Sequence, residues 1–225
     1  TAPPNTSPTI ANLAGDGLAY AEGAGAVVIE QGDNATVTDA ESANFDTGTL
    51  TVSFTAGSDS AEDVLAIRNE GSGAGQIGVS GANVTYGGTP IGTYAGGSSG
   101  SNLVITFNAS SSPTAAQALI RNITYQNTDT GAPTTGARTV RFALTDGDGG
   151  TSANHDTTVT VSGVNDSPTG SGTINDTTPT QGQTLTASNS LADADGLGAI
   201  TYTWKADGTT VGTGSAYAVT EAEVG

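Results

Sequence analysis

Short runs that alternate apolar and polar residues recur along the whole chain. Leu50-Thr51-Val52-Ser53-Phe54, Leu103-Val104-Ile105-Thr106-Phe107 and Thr139-Val140-Arg141-Phe142-Ala143-Leu144 combine β-branched and aromatic residues with period two, so each predicts a half-buried strand. The same reading places strands at 26–30, 76–79, 83–86, 123–126, 157–161, 185–187 and 200–204. In the last of these, alternation assigns Ile200, Tyr202 and Trp204 to one face. Clusters of Gly, Ser, Asn and Asp separate the runs, as at 71–75 and 96–100. One stretch departs from this pattern. Ser112 is a good N-cap, Pro113 suits the first helical position and helix formers follow, predicting one short helix near residues 113–121. Its expected role is to cover an open end of a sandwich with Leu119 and Ile120. Many short strands at fairly even spacing predict an all-β chain of tandem Greek-key β-sandwiches.

Two punctuation marks occur twice, in the same order and about 160 residues apart. Asn5-Thr6-Ser7-Pro8-Thr9 returns as Asn165-Asp166-Ser167-Pro168-Thr169, and Thr38-Asp39-Ala40-Glu41 returns as Ala192-Asp193-Ala194-Asp195. Asn-Asp-Ser-Pro is a poor strand interior and a good linker, because Pro fixes its own φ and keeps its predecessor extended. The expected division is a long sandwich over residues 1–164 and a second unit over 165–225. The second is short of the roughly seven strands that a sandwich of this type needs. It is expected to be incomplete, either because the parent protein continues or because a neighbouring chain adds strands at its edge.

Composition changes the picture mainly through charge. The 225 residues carry 22 Asp and Glu against 5 Lys and Arg, a formal net charge of −17, with no Cys or Met and with single His, Trp and Lys residues. Such a field repels phosphate backbones and anionic lipid, so neither nucleic-acid binding nor membrane insertion is expected. No apolar run approaches the roughly 20 residues that span a bilayer. Zero Cys excludes disulfides and thiolate chemistry. The missing initiator Met and the lack of a signal-like opening suggest a processed chain or an excised fragment. Charge imbalance and Gly lean toward disorder, whereas 35% hydrophobic residues and strand-period alternation favour a folded chain.

Catalysis is not expected. His155 follows an Asp-Gly-Asp-Gly-Gly turn with no Gly-x-Ser-x-Gly nucleophile elbow to serve, and zinc lacks a ligand set. Calcium is different, since it takes six to eight oxygens from carboxylates, amides and backbone carbonyls held by loops. Asp39 with Glu41, and Asp193 with Asp195, stand two residues apart, so in an extended loop both carboxylates of a pair point the same way. Asp146 and Asp148 repeat that spacing in a loop that reads equally as an ordinary hairpin turn. Asn165 and Asp166 add an amide oxygen and a carboxylate at the linker, and Glu22 is a further candidate. No EF-hand is formed, because Thr157 stands where a bidentate Glu is needed.

Glu22, the Asp39-Ala40-Glu41 pair, the Asn165-Asp166-Ser167-Pro168 linker and Asp193-Ala194-Asp195 resemble the set with which cadherin-type repeats bind Ca²⁺ between consecutive domains. The stretches 61–69, 76–81, 118–125 and 145–151 resemble the long cadherin-like repeats of giant bacterial surface adhesins of the RTX type, and 180–187 and 202–208 resemble the shorter Ig-like repeats that accompany them. The resemblance implies a cadherin-like sandwich followed by an Ig-like one. It also implies a junction at which Glu22, Asp39, Glu41, Asp166, Asp193 and Asp195 repel one another until Ca²⁺ bridges them. Two departures stand out. Gln181 occupies the place of Glu22 in the second unit, and Thr6 replaces the linker Asp at the start of the first.

The resulting expectation is a non-catalytic, calcium-stabilised segment of an extracellular surface protein, acting as a stiff stalk or adhesin module. Its partners would be neighbouring repeats of the same chain or like protomers, and a surface glycan or protein. Two other classes stand beside it: a filament subunit completed by a neighbour's strand, and a carbohydrate-binding module using Tyr86, Tyr94 or Tyr217 as a platform.

Overall fold

The computed structural model describes residues 4–223; residues 1–3 and 224–225, the outer ends of the two expected units, lie outside the described residues. The chain divides into two compact units, Thr1–Val164 and Asn165–Gly225. It is all-β, with one short α-helix.

In chain order, unit 1 contains β1 (Thr9–Ala11), β2 (Gly17–Ala21), β3 (Val27–Val28), β4 (Thr36–Thr38), β5 (Thr49–Ala56), β6 (Asp63–Ile67) and β7 (Ile77–Ser80). It continues with β8 (Asn83–Tyr86), β9 (Thr89–Ala95), β10 (Leu103–Phe107), α1 (Pro113–Ile120), β11 (Ile123–Asn127), β12 (Gly136–Leu144) and β13 (His155–Ser162). Eight strands form one sheet in the order β2-β13-β12-β5-β10-β9-β8-β7, and β3-β11-β6 form a second. β1 pairs with β4 in a two-stranded ribbon. The inward positions of β5, β10 and β12 are fully buried, with Leu50, Val52, Leu103, Ile105, Val140, Phe142 and Leu144 at 0% exposure. Tyr125 of β11 meets Tyr20 of β2 edge to face at 4.8 Å and Phe54 of β5 at 6.2 Å, so aromatic edges fix the two sheets against each other. Helix α1 starts where its cap dictates. The Ser112 hydroxyl accepts from the Ala115 amide at 3.1 Å, Pro113 occupies the first turn, and Ala115, Ala116, Leu119 and Ile120 are buried on one face.

Unit 2 contains β14 (Gly172–Ile174), β15 (Thr184–Asn189), β16 (Thr203–Ala206), β17 (Thr209–Thr213) and β18 (Ala216–Ala218). β14-β15-β18 form one sheet and β16-β17 another. Its buried core is Leu185, Trp204 and Val219, with Tyr217 stacked on Trp204 at 5.8 Å. Among the described residues no helix is long and apolar enough to cross a membrane.

Several expected boundaries shift for identifiable reasons. The strand expected at 26–30 contracts to Val27–Val28, because Glu30 turns the chain by accepting from the amides of Asp33, Asn34 and Ala35. The strand expected at 200–204 runs instead over Thr203–Ala206, with Ile200 exposed. A two-residue Asp207-Gly208 turn with both φ positive sets its register, and that turn outweighs the Ile200-Tyr202-Trp204 alternation. β9 was hidden by Pro90, which lies where the β8–β9 register slips and a ladder amide is not required.

One buried charge pair anchors the unit 1 end that carries Glu22. Arg138 donates to Asp63 at 3.1 Å, and both side chains are essentially inaccessible. Tyr125 donates to the other Asp63 oxygen at 2.5 Å; burial and the adjacent carboxylate push its phenol well above the usual range. Replacing Arg138 by Leu leaves Asp63 buried without its cation and is expected to cost about 3–5 kcal/mol in urea denaturation, whereas Arg138→Leu with Asp63→Leu recovers part of that loss.

Candidate metal centre

Strand directions in unit 1 collect acidic loops at two opposite poles. β4 runs antiparallel to β1 with Thr38 opposite Thr9, so residues 39–42 emerge beside residues 5–8. β12 delivers Asp146 to the same pole, where the Asn5 amide donates to Asp146 Oδ2 at 3.1 Å and the Thr6 backbone amide donates to Glu41. Two consecutive residues therefore tie the Asp39–Glu41 loop to the Asp146–Gly150 loop.

Asp146 is 1% exposed and has no basic partner among the described residues. Its Oδ1 accepts from the amides of Asp148 and Gly150 at 2.8 and 2.9 Å, so the carboxylate folds its own loop around itself. Gly150 is required here, because a Cβ at that position would lie 2.2 Å from Asp146 Oδ2 and 2.8 Å from the Thr6 carbonyl oxygen. Asp148 is exposed and contributes its amide. Asp39 Oδ1 accepts from the Ser42 amide at 3.3 Å, while Asp39 Oδ2 and the Ser42 hydroxyl are buried with no partner.

Among the described residues, three buried side-chain oxygens lack a hydrogen-bond partner: Asp39 Oδ2, Ser42 Oγ and Glu22 Oε1. All three lie at the poles of unit 1. Leaving such atoms unpaired costs about 1–3 kcal/mol each, more for a charged oxygen, so a ligand that supplies positive charge there relieves a penalty already present. Sequence patterning had independently marked two of them.

Glu22 occupies the opposite pole. β2 runs parallel to β13 and ends with Ala21 beside Ser162, whereas β12 ends near His155. The eight residues of β13 thus separate Glu22 from Asp146, roughly 25 Å at strand rise. This corrects the expectation that Glu22, Asp39 and Glu41 serve one junction: strand direction sends them to different ends. Glu22 Oε2 accepts from the Val164 amide at 2.8 Å. The acids that share its pole are ones the sequence reading passed over. Glu62 accepts from Asn127, Thr134 and the Thr134 hydroxyl, which also donates to Asp59. The available signal was the acid run Asp59-Ser60-Ala61-Glu62-Asp63, of which only 61–63 fall within a stretch that resembles the cadherin-like repeats.

Unit 2 repeats the first pole in miniature. Thr169 bridges Ala192 as Thr9 bridges Thr38. The Asp166 amide donates to Asp195 at 2.5 Å as the Thr6 amide does to Glu41, and Asp193 Oδ1 accepts from the Asp195 amide at 3.0 Å. Asn165 donates to the Asp166 carbonyl at 2.7 Å. The repeated punctuation is therefore a repeated three-dimensional contact. Unit 2 presents no counterpart of Asp146 among its described residues.

Among the described residues no group of three or more His, Asp and Glu side chains is close enough to hold an ion alone. A calcium site at the Asp39 pole would draw its remaining oxygens from Asn5, Ser42 and backbone carbonyls, which suits a hard cation with flexible coordination. The fit rests on the orphaned Asp39 and Ser42 oxygens. No family model, curated protein or solved structure matches the chain.

Glu41 reports on this pole. Its hydrogen bonds from Thr6 hold the carboxyl below its usual range, and the charge of Asp146 pushes it back up. Its contribution to stability is therefore complete above the unfolded value of 4.5 and is lost as pH falls through the lower folded value. Carbon-detected NMR titration should show the depressed midpoint, and Asp146→Asn should lower it further.

Proposed function

We propose that the chain is a calcium-stabilised repeat segment of an extracellular surface protein, a load-carrying stalk or adhesin module rather than an enzyme. The observation that carries this reading is the pair of partnerless buried oxygens, Asp39 Oδ2 and Ser42 Oγ, beside Glu41 and a buried Asp146. Asp39, Glu41, Asp146, Asn5 and Ser42 would hold the ion at one pole of unit 1. Glu22 would contribute at the other, and Asp193, Asp195, Asp166 and Asn165 would form the lighter version in unit 2. Bound calcium would supply positive charge where carboxylates now repel one another, ordering the loops that close each sandwich. Recurrence of the same contact in both units supports a repeat architecture in which each copy carries its own ion-dependent end.

Extracellular modules hold Ca²⁺ at roughly 10⁻⁴ to 10⁻³ M, so loading would follow export. At 1 mM ion each filled site adds up to about 1.4 kcal/mol, worth a few degrees of melting temperature. Calorimetry of the whole chain is expected to show unit 1 melting several degrees higher in Ca²⁺ than in chelator, with a smaller gain in Mg²⁺. Asp39→Asn, which keeps the Ser42 contact and loses only the partnerless oxygen, should remove most of the gain without lowering the chelated melting point. Identical melting curves in Ca²⁺ and chelator would refute the proposal.

A second reading is favoured by unit 2. Ile174, Leu197 and Ile200 are 40–45% exposed, and cavities of about 260 and 280 Å³ open onto Trp204. That thin core supports completion by a strand from a like protomer. Sedimentation over a hundredfold concentration range should reveal association if this is so, with Trp204 fluorescence shifting to the blue; a monomer throughout would exclude it.

A further inference from the structure

Only five basic side chains accompany 22 acids, so where each one sits is informative. Arg138 is consumed by Asp63, and Arg141 forms a two-bond pair with Asp156, both at 2.7 Å. The two remaining arginines, Arg68 and Arg121, share one place. Both line a cleft of about 280 Å³ between α1 and the β7–β8 hairpin, and both also line the adjoining hollow toward Glu30.

Each guanidinium is held by its inner nitrogen. Arg68 Nε donates to Asn122 Oδ1 at 2.7 Å, and Arg121 Nε donates to the Ala35 carbonyl at 2.8 Å. This fixes the planes while leaving outer N–H groups lightly used: Arg68 reaches Glu70 at 3.1 Å, and Arg121 reaches Asp33 at 3.4 Å. The acids nearby are already occupied. Glu30 accepts from three backbone amides, and Glu70 is shared between Arg68 and the Ile77 amide. Asp33 is the exception. It is 85% exposed and held by that one long contact, so an incoming carboxylate can take its place.

The rest of the lining offers partners for hydroxyl groups. Tyr86 flanks the cleft half-buried, with Thr114 and Gln117 of α1 across from it. Gln117 uses its carbonyl oxygen on the Val37 amide, which leaves its NH₂ group to donate. An aromatic ring, a hydroxyl and an amide donor beside two oriented guanidinium groups match a saccharide ring bearing a carboxylate.

We infer that this cleft binds a carboxylate-bearing sugar, with Arg68 and Arg121 on the carboxylate, Tyr86 against the ring and Gln117 on a hydroxyl. The inference is independent of the calcium reading, because none of these residues belongs to either pole. In an otherwise acidic molecule it is the one described location where two partly exposed arginines meet a cavity.

The test is calorimetric or saturation-transfer titration of the whole chain, in calcium buffer at low salt, with an oligogalacturonate and with its neutral methyl ester. The acid should bind, and the ester should bind about tenfold or more weakly. Arg68→Gln should weaken the acid to a similar degree, with its melting point showing the fold retained. Asp33→Asn should strengthen binding several-fold by removing the competing carboxylate, a gain that a purely structural role for these residues would not produce. Asp39→Asn with Asp146→Asn should bind the sugar as the parent does, which separates this site from ion binding. Equal binding of acid and ester, an unaffected Arg68→Gln variant, or binding only of a peptide with a free terminal carboxylate would overturn the assignment.

Discussion

The structure depends on hydrogen bonds from backbone amides to carboxylates. With 22 acids and 5 bases, ion pairing cannot neutralise the chain, and four salt bridges are formed among the described residues. The loops take over that task. Glu30 accepts three amides, Asp146 accepts two, and Asp129 accepts those of Gly131 and Ala132, which hold its carboxyl below the usual range. Each contact spreads negative charge over a turn and orders it, so acid content that would disfavour compaction becomes the means of shaping the connections between strands. Against that background the few carboxylate oxygens left without a donor stand out as places where the loops stop short of satisfying themselves.

Much of the fold was legible from period and punctuation, and the reasons differ by element. The runs at 50–54, 103–107 and 139–144 are central strands, where burial on one face forces alternation, and they appear as β5, β10 and β12. Helix α1 was legible because its cap and its proline act locally. Strands set by long-range pairing or by turns were not. β2 owes its existence to a parallel partner more than 130 residues away, and β16 takes its phase from Asp207-Gly208 rather than from its apolar residues.

The candidate ion-binding residues divide in the same manner. That Asp39 and Glu41 pair with the linker motif preceding them could be read from its recurrence at Asn165, Asp193 and Asp195, although the family resemblance assigned them instead to the junction with Asp166. That Glu22 belongs elsewhere could not, because strand direction decides it and one-dimensional spacing carries no direction. Ser42 was invisible for another reason: a hydroxyl has no charge signature, and its significance comes only from being buried without a partner.

The side-by-side arrangement of β2 and β13 has a mechanical meaning. The two strands run parallel over Gly17–Ala21 and Thr158–Ser162, one near the start of unit 1 and the other at its end. Tension applied between the termini of this unit draws parallel neighbours in opposite directions along their common axis. The rungs of that ladder are then stressed together in shear instead of being peeled one at a time, so rupture demands nearly simultaneous loss of all of them. A sandwich wired in this manner resists extension through its topology, whatever its equilibrium stability.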